Sequence, residues 1–489
     1  MGEAMRIGRL EGWKVGVVVC LVGGVAWADP LQNGWFTDFS GKYARLYTNT
    51  TDQLAGISRT TWSRGALTQA LPAYSGVQGV YSSASWVYIR TSGLGVHIMG
   101  PWYLNFAKTA NALFPNLPVN KNVLYRIPRV PTVPGSKTLT GLGAIGYFVD
   151  GVAMFDGRDG NYWNGTTEVG GMGTGYWNRD AYTNEGVTFD PALAHQPGDG
   201  TYHYHANPIA LRYLLGDHVD YNAGTKTYAE STNAVTGHSP LLGWVRDGYP
   251  IYGPYGYSVS NNAASGVRRM ISGYQLRNGV NGTDNLTVTT NRSTIPAWAQ
   301  RAYSTGASHG GPIVSTNYPL ARYMEDYAFL GDLAGHTNGV DYDLDEYNGR
   351  WCVTPEFTNL TYVYFVSVSA SGAPVFPFNI GRSFYGNPAG AVVGAITESV
   401  ITNFIGGASN AVEVTGIDTN ATDDEIALVW SSVDGGTYVI ESATNLAGSW
   451  QNVATNVATG GTTTRAVLSV SGDSKFYRVG RSGVAAYSF

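Results

Sequence analysis

Two histidines separated by a single tyrosine are the residues of this sequence best suited to chemistry. They lie in Tyr202-His203-Tyr204-His205, a segment predicted to be a strand that ends just before a helix cap at Asn207. Side chains two residues apart on a strand share a face, so both imidazoles point to one side and both tyrosines to the other.

Two imidazoles on one rigid strand are a good start for a transition-metal site, because imidazole nitrogen suits Zn, Cu, Fe or Ni. A site needs at least one further ligand, and His195 is the nearest candidate, with a carboxylate such as Asp247 or Glu346 as the alternative. We therefore predict a copper or zinc site at His203, His205 and His195. The competing interpretation is a set of hydrogen-bonded core histidines, which is the commoner role of a lone histidine.

Carboxylates are scarce enough for their positions to be informative, since only 65 of the 489 residues are charged. Asp341, Asp343 and Asp345 alternate, so an extended segment would gather three carboxylates on one face, an arrangement that suits Ca²⁺. An EF-hand is excluded because Glu346 stands where that loop needs glycine, and a solvated acidic turn is the alternative. The acidic groups predicted to support a metal site are Asp247, Glu325, Asp326, Asp345 and Glu346.

One motif that suggests nucleophilic catalysis is rejected. Gly306 to Gly310 fits the Gly-x-Ser-x-Gly pattern, but no buried strand precedes it, and the following Gly311-Pro312 forbids the helix that a nucleophile elbow requires. No catalytic residue is therefore assigned.

The composition excludes several classes of protein. The 64 glycines have no period of three and come with only 21 prolines, which rules out a collagen-like rod. A net charge of −5 over this length offers no basic field, so no nucleic-acid partner is expected. The hydrophobic fraction of 43% is enough to form a substantial core.

Short apolar runs separated by Gly, Asn, Asp, Ser and Pro predict a mainly β fold. Examples are Trp86 to Ile89 and Tyr362 to Val366. Helical signals are few: one helix is predicted after Asn207, with Pro208 in its first turn, and a second is predicted from Tyr103 to Phe114. These elements predict a large β-rich domain with a few short helices.

The amino terminus has the pattern of a secretory signal peptide over residues 1–28. Basic residues precede an apolar run from Val15 to Val25, and the small-x-small triplet Ala26-Trp27-Ala28 follows. The run is about half the ~20 residues that a membrane span needs, so we expect cleavage, export and no membrane span. Cleavage would remove Cys20 and leave Cys352 alone, without an intrachain disulfide.

The amino-acid composition changes near Pro388 to small apolar residues with Asn and Thr. We therefore predict a linker over 388–411, a small β-sandwich over 412–482 and a tail over 483–489. Ile426 to Trp430 and Tyr438 to Ser442 are predicted strands, with Asp434-Gly435-Gly436 as a hairpin turn between them. Strands of this length and spacing are typical of immunoglobulin-like or fibronectin-like modules.

The Tyr-His-Tyr-His segment resembles the motif that names the YHYH-domain family of secreted bacterial proteins. Further similar elements follow in family order, and the resemblance covers roughly residues 75–390 within a predicted domain of 29–387. It implies no particular activity. One departure is Gly335 to Asp343, which is longer than the family's usual link and carries His336. The similar elements are Gly143 to Asp156, Gly243 to Pro254, Gly310-Gly311-Pro312, Glu325-Asp326-Tyr327, Asp345 to Arg350 and Phe376 to Gly381.

Three functions are compatible with this sequence. The leading hypothesis is an exported protein that binds a transition metal through the His-x-His strand. The second is an extracellular carbohydrate-binding or carbohydrate-active protein with a glycan partner, which the aromatic and Asn/Gly-rich texture favours. The third is a structural or adhesive protein attached to a surface component through its carboxy-terminal module.

Overall fold

The architecture is mainly β, as the sequence predicts, with short helices between many short strands. No helix in the described part of the chain is both long and apolar enough to span a membrane. The structure is a computed structural model that describes residues 5–7, 30–171, 175–288, 291–407, 412, 414–419, 425–432, 436–446, 449–457, 463–469 and 475–484.

An eight-stranded mixed sheet is the centre of the molecule and carries the Tyr-His-Tyr-His segment near one edge. Its interior strands are continuous apolar runs with both faces covered; every residue of Leu241–Val245, for example, is buried. In spatial order its strands are Ala194–His195, His203–Tyr204, Ala153–Phe155, Ala144–Phe148, Leu241–Val245, Pro250–Tyr252, Thr361–Phe365 and Gly349–Cys352.

A second sheet has five strands, and both of its edges come from the segment predicted to be a linker. Ala391–Val392 pairs with Val123–Pro128, and Ile401–Ile405 pairs with Val77–Ser82. Part of 388–411 therefore extends this sheet instead of forming an open linker. The sequence gives little sign of these strands because edge strands bury few side chains, and Ile401 is 70% exposed. The central strand is Trp86–Thr91.

Smaller sheets and short helices complete the large domain. The three-stranded sheet contains Glu168–Gly170, Arg158–Trp163 and Asn178–Asp180. The strand pairs are Arg45–Leu46 with Ile98–Met99, Trp62–Arg64 with Leu67–Gln69, Val219–Asn222 with Thr227–Glu230, Tyr255–Val259 with Asn262–Arg269, and Tyr274–Leu276 with Tyr327–Phe329. The α-helices are Pro30–Asn33, Thr50–Ala55, Ala181–Glu185, Ile209–Leu214 and Ala297–Tyr303, and the 3-10 turns are Ala110–Ala112, Gly186–Thr188, Met324–Asp326 and Leu330–Asp332.

Of the two predicted helices, only the one after the Tyr-His-Tyr-His segment forms. It spans Ile209–Leu214 and begins directly after Pro208. The prediction over Tyr103 to Phe114 is wrong, because this segment contains only a short 3-10 turn. Its apolar residues do not make a buried stripe, since Phe106 is 82% exposed.

The carboxy-terminal strands form two sheets that share one hydrophobic core. The predicted hairpin is wrong, because Glu425–Ser431 and Gly436–Ala443 belong to different sheets. The chain therefore crosses from one sheet to the other between these strands. Asp434 and Gly435 of the predicted turn lie outside the described residues. Turn residues alone do not distinguish a hairpin from such a crossing. One sheet contains Val414–Thr419, Glu425–Ser431 and Thr463–Ser469, and the other contains Met5–Ile7, Lys475–Val484, Gly436–Ala443 and Gln451–Val457.

The helix Ile209–Leu214 is anchored by a buried ion-pair network. The Arg212 guanidinium donates to Asp217 at 2.6 Å and to both carboxylate oxygens of Glu230 at 2.7 and 2.8 Å. It also donates to the Asn207 side-chain oxygen at 3.1 Å. This network fixes the chain two residues beyond His205.

We predict that Arg212→Ala lowers the free energy of unfolding by about 3–5 kcal/mol, because it leaves two buried carboxylates without their cation. The matched control is Lys121→Ala, which removes a more exposed ion pair with Asp199 and should cost below about 1 kcal/mol. Chemical denaturation measures both values. Equal losses in the two variants would contradict the assigned role of the network.

Candidate metal centre

Strand pairing brings His195 and His203 to the same face of the central sheet. Ala194–His195 and His203–Tyr204 run antiparallel, with His195 directly opposite His203. Residues directly opposite each other in an antiparallel pair project to the same side, and His205, two residues after His203, also joins this face. The predicted strand is short, but it places both histidines of the motif as expected and brings in the third.

Hydrogen bonds hold all three imidazoles in one tautomer. His203 Nδ1 donates to the Thr201 carbonyl oxygen at 2.9 Å, and His205 Nδ1 donates to the Asp156 carbonyl oxygen at 2.6 Å. A carbonyl oxygen can only accept, so each Nδ1 carries the proton. In the neutral rings the opposite nitrogen, Nε2, therefore has a free lone pair.

The His195 ring also carries its proton on Nδ1, and here the hydrogen-bond acceptor is a hydroxyl group. Its Nδ1 lies 2.7 Å from Thr188 Oγ1, and that hydroxyl donates its single proton to the Glu185 carbonyl oxygen, also at 2.7 Å. The hydroxyl oxygen must therefore accept from the imidazole, which places the proton of His195 on Nδ1 as well.

The ligand nitrogens of the three histidines lie close together. The potential ligand atoms of the three histidines all lie within 4.8 Å of one another, and the Nε2 atoms of His203 and His205 are 2.9 Å apart. Two acceptors at that distance repel each other unless a proton or a cation lies between them. In a tetrahedral zinc site with Zn–N bonds of about 2.0–2.1 Å, neighbouring nitrogens are about 3.4 Å apart, so the arrangement is close to a ligand shell.

A fourth ligand candidate, Glu185, was not predicted from the sequence. Its Oε2 atom lies 3.3 Å from His205 Nε2 and 3.6 Å from His195 Nε2. Glu185 is the last residue of the helix Ala181–Glu185, which the Asp180 side chain caps by accepting from the Thr183 backbone N–H. The Asp180 cap and the glycine after Glu185 signal a short helix, but nothing in the sequence shows that it ends beside the histidines.

The centre is enclosed by aromatic rings. Phe155 stacks on His203 with ring centroids 3.8 Å apart, and Phe189 meets His195 edge-on at 4.8 Å. Burial lowers the pKa of His195 and His203 well below the ordinary value. Burial acts in the same direction on His205, but the hydrogen bond and charge of Glu185 outweigh it and raise its pKa.

The tyrosines of the motif lie on the opposite face and belong to the core. The Tyr202 hydroxyl donates to the Asp190 carboxylate at 2.8 Å and lies 2.9 Å from His97 Nε2. Tyr204 is fully buried and packs edge-on against Phe148. The alternation inferred from the sequence therefore separates the histidine face from a packed tyrosine face.

The five acidic residues predicted to support the site lie elsewhere, each with its own partners. Within the described residues, no hydrogen bond or ion pair joins any of them to the three histidines. Asp247 accepts from the Tyr364 hydroxyl, Glu325 from Asn178 and Tyr303, Asp326 from Arg292, Asp345 from the Tyr362 hydroxyl, and Glu346 from Arg301.

The acidic turn considered for calcium does not gather its carboxylates. Asp343 forms an ion pair with Arg268 at 2.6 Å and Asp345 accepts from Tyr362, while Asp341 is exposed and accepts from the Thr337 backbone. Over the ranges that the structure describes, the histidine group is the one cluster of three or more ligand side chains that could hold a metal ion.

Several aromatic residues that could stack on a sugar are instead core residues. Trp177, Tyr249, Tyr252 and Tyr255 are buried, whereas Tyr176 is 40% exposed. They form no shared exposed platform, so they give no support to a sugar-stacking surface.

Together, the fold and the site define a β-rich protein with a buried three-histidine centre at the edge strands of its central sheet. A family model described as YHYH protein matches residues 124–375, just over half of the chain. The chain therefore belongs to the YHYH protein family, and the matched range is narrower at both ends than the resemblance seen in the sequence. Searches of the curated proteins and of the solved structures found no match.

Glu325 gives a prediction about pH. Its carboxyl is buried, and burial raises its pKa to about 7 from an ordinary value of 4.5. Such a group favours the folded state while protonated, so its contribution is complete below pH 4.5 and is lost as the pH rises through about 7. We expect the free energy of unfolding of the wild type, relative to Glu325→Gln, to fall over this window by up to about 1.4 kcal/mol per pH unit.

Chemical denaturation of both proteins between pH 4 and 8 measures this difference. Because only the change with pH is compared, a constant stability difference between the two proteins does not affect the result. A difference that stays constant across the window, or rises with pH, would show that the buried carboxyl does not titrate as assigned.

Proposed function

We propose that this YHYH protein binds a transition-metal ion through the Nε2 atoms of His195, His203 and His205. The observation that carries the proposal is the common tautomer: three separate acceptors hold the three Nδ1 protons, and three lone pairs meet within 4.8 Å. Acceptors of this kind behind metal-bound imidazoles fix ring orientation and raise ligand basicity.

Glu185 supplies the fourth ligand in this proposal. Its carboxylate lies at the open side of the cluster, with its side chain 29% exposed, whereas the histidine side chains are at most 7% exposed. With Glu185 bound, the ion has a closed shell of three nitrogens and one oxygen, and a closed four-coordinate shell is the arrangement of a structural site. With Glu185 displaced, one position is free for a small molecule, which is the arrangement of a catalytic metal.

Zinc and copper are the metals that this ligand set favours. Imidazole suits both ions, and a tetrahedral shell with a carboxylate oxygen is common for zinc. Cys352, the free cysteine of the described chain, is buried and pairs on its strand with Thr361 in the far part of the central sheet. A thiolate ligand is therefore not part of the proposed shell.

Metal analysis of the purified protein tests the proposal directly. We expect about one zinc or copper ion per chain, and less than a tenth of that in His203→Ala and in His195→Ala, because two imidazoles do not hold the ion. The matched control is His336→Ala, since His336 is only half-buried and contacts the Asn281 carbonyl oxygen away from the cluster.

Wild-type protein that contains no metal after purification without chelators, and takes up none when zinc or copper is added, would overturn the proposal. The cluster would then be a hydrogen-bonded histidine core in which a proton on His205 is shared with Glu185.

The role of Glu185 has its own test. We expect Glu185→Gln to keep the metal but bind it roughly 10- to 100-fold more weakly, because an amide oxygen is a poorer ligand than a carboxylate. Competition with a chromophoric chelator measures the affinity. An unchanged affinity would show that Glu185 does not bind the ion.

Export also belongs to this proposal. It is supported by the basic residues, the short apolar run and the Ala26-Trp27-Ala28 triplet at the amino terminus. In an exported protein without a disulfide, a bound ion would add the stability that a crosslink gives other secreted domains.

A further inference from the structure

Arg382 is a buried arginine without an acidic partner. Five arginines are buried in the described part of the chain, and four of them form ion pairs with a carboxylate. Arg382 is 5% exposed; its guanidinium donates to the carbonyl and hydroxyl oxygens of Thr140 and lies 5.6 Å from the centre of the Tyr303 ring. Its Nε atom has no hydrogen-bond partner among the residues that the structure describes. Burying a charge without a counter-ion is costly, so a missing partner is expected.

The buried carboxylate of Asp156 is already engaged by a different arginine. Asp156 accepts two hydrogen bonds from the Arg158 side chain, at 2.8 and 3.2 Å. The Thr140 carbonyl oxygen accepts from both Arg158 and Arg382, so the two guanidinium groups lie side by side. Two guanidinium groups therefore share the field of one carboxylate, and a cationic excess remains at Arg382.

Arg382 lines a cleft of about 290 Å³. This volume is just below the ~300–1,000 Å³ range of small-molecule sites. Its charged lining residues are three basic and one acidic: Lys137, Arg301, Arg382 and Glu346. Arg301 pairs with both Asp332 and Glu346, so these three groups carry one net negative charge. Arg382 and Lys137, which form no ion pair within the described residues, leave the cleft with one net positive charge.

The remaining lining residues combine hydroxyl groups with aromatic rings. Ser136, Ser304 and Ser383 offer hydroxyls, and Tyr347 forms part of the wall. The Lys137 ammonium lies 5.1 Å from the centre of the Tyr347 ring and donates to the Tyr385 carbonyl oxygen. Cations with hydroxyls and a ring suit a polyhydroxylated anion better than an apolar ligand.

We propose that this cleft binds a small hydroxylated carboxylate, of the size of a single sugar acid. The ligand carboxylate pairs with the Arg382 guanidinium and the Lys137 ammonium, and its hydroxyl groups meet the serines. The planar fork of an arginine matches a carboxylate in a way that a lysine ammonium does not. This site is separate from the histidine centre and does not depend on the proposed metal.

Isothermal titration calorimetry of the full chain, as purified, tests the proposal. The probes are D-glucuronate, neutral D-glucose and inorganic phosphate. We expect glucuronate to bind at least tenfold more tightly than either of the other two. We also expect Arg382→Lys and Lys137→Met each to weaken glucuronate binding at least tenfold, whereas the control Lys121→Met leaves it unchanged.

Lys137→Met keeps the test decisive if Arg382→Lys does not fold, because Lys137 is only half-buried and lies at the cleft wall. Absence of glucuronate binding, equal binding of glucose or phosphate, or glucuronate binding that survives Lys137→Met would each overturn the proposal. Glucuronate binding at the cleft and metal binding at the histidines are measured with different variants. Failure of the cleft proposal therefore does not affect the metal proposal, and the reverse also holds.

Discussion

The three fixed Nδ1 protons are the constraint on which the site depends. Each is held by a different part of the fold: the Thr201 carbonyl on the approach to the motif strand, the Asp156 carbonyl after a neighbouring strand, and the Thr188 hydroxyl in a 3-10 turn. The three lone pairs can meet only while these segments keep their positions. The central sheet, whose strand Ala153–Phe155 pairs in parallel with His203–Tyr204, provides that rigidity.

The two faces of the short strand His203–Tyr204 have different roles. The histidine face meets Glu185 and the phenylalanine rings, and the tyrosine face is packed into the core through Asp190 and His97. A strand with only two paired residues could not orient four large side chains by itself. The packed core on the tyrosine side therefore holds the histidines in place. The same packing places the polar side chains of Asp190 and His97 in the interior.

The sequence predicted the mainly β fold, the shared face of His203 and His205, and His195 as the third member of the cluster. These follow from strand periodicity and from local spacing. It missed Glu185 and placed five other acidic residues near the site, because tertiary packing decides which carboxylate reaches the histidines. It also missed the edge strands within 388–411 and the crossing between the carboxy-terminal sheets, since exposed strands and turn residues carry little information about their pairing partners.

The most direct measurement of the central claim is X-ray absorption spectroscopy at the metal edge of the purified protein. We expect a first shell of three imidazole nitrogens and one oxygen at about 2.0–2.1 Å, the usual distances for zinc bound by histidine and carboxylate. In Glu185→Gln, the imidazole scattering should remain. A first shell with sulfur, or with fewer than three imidazoles in the wild type, would contradict the assignment of His195, His203 and His205 as the ligands.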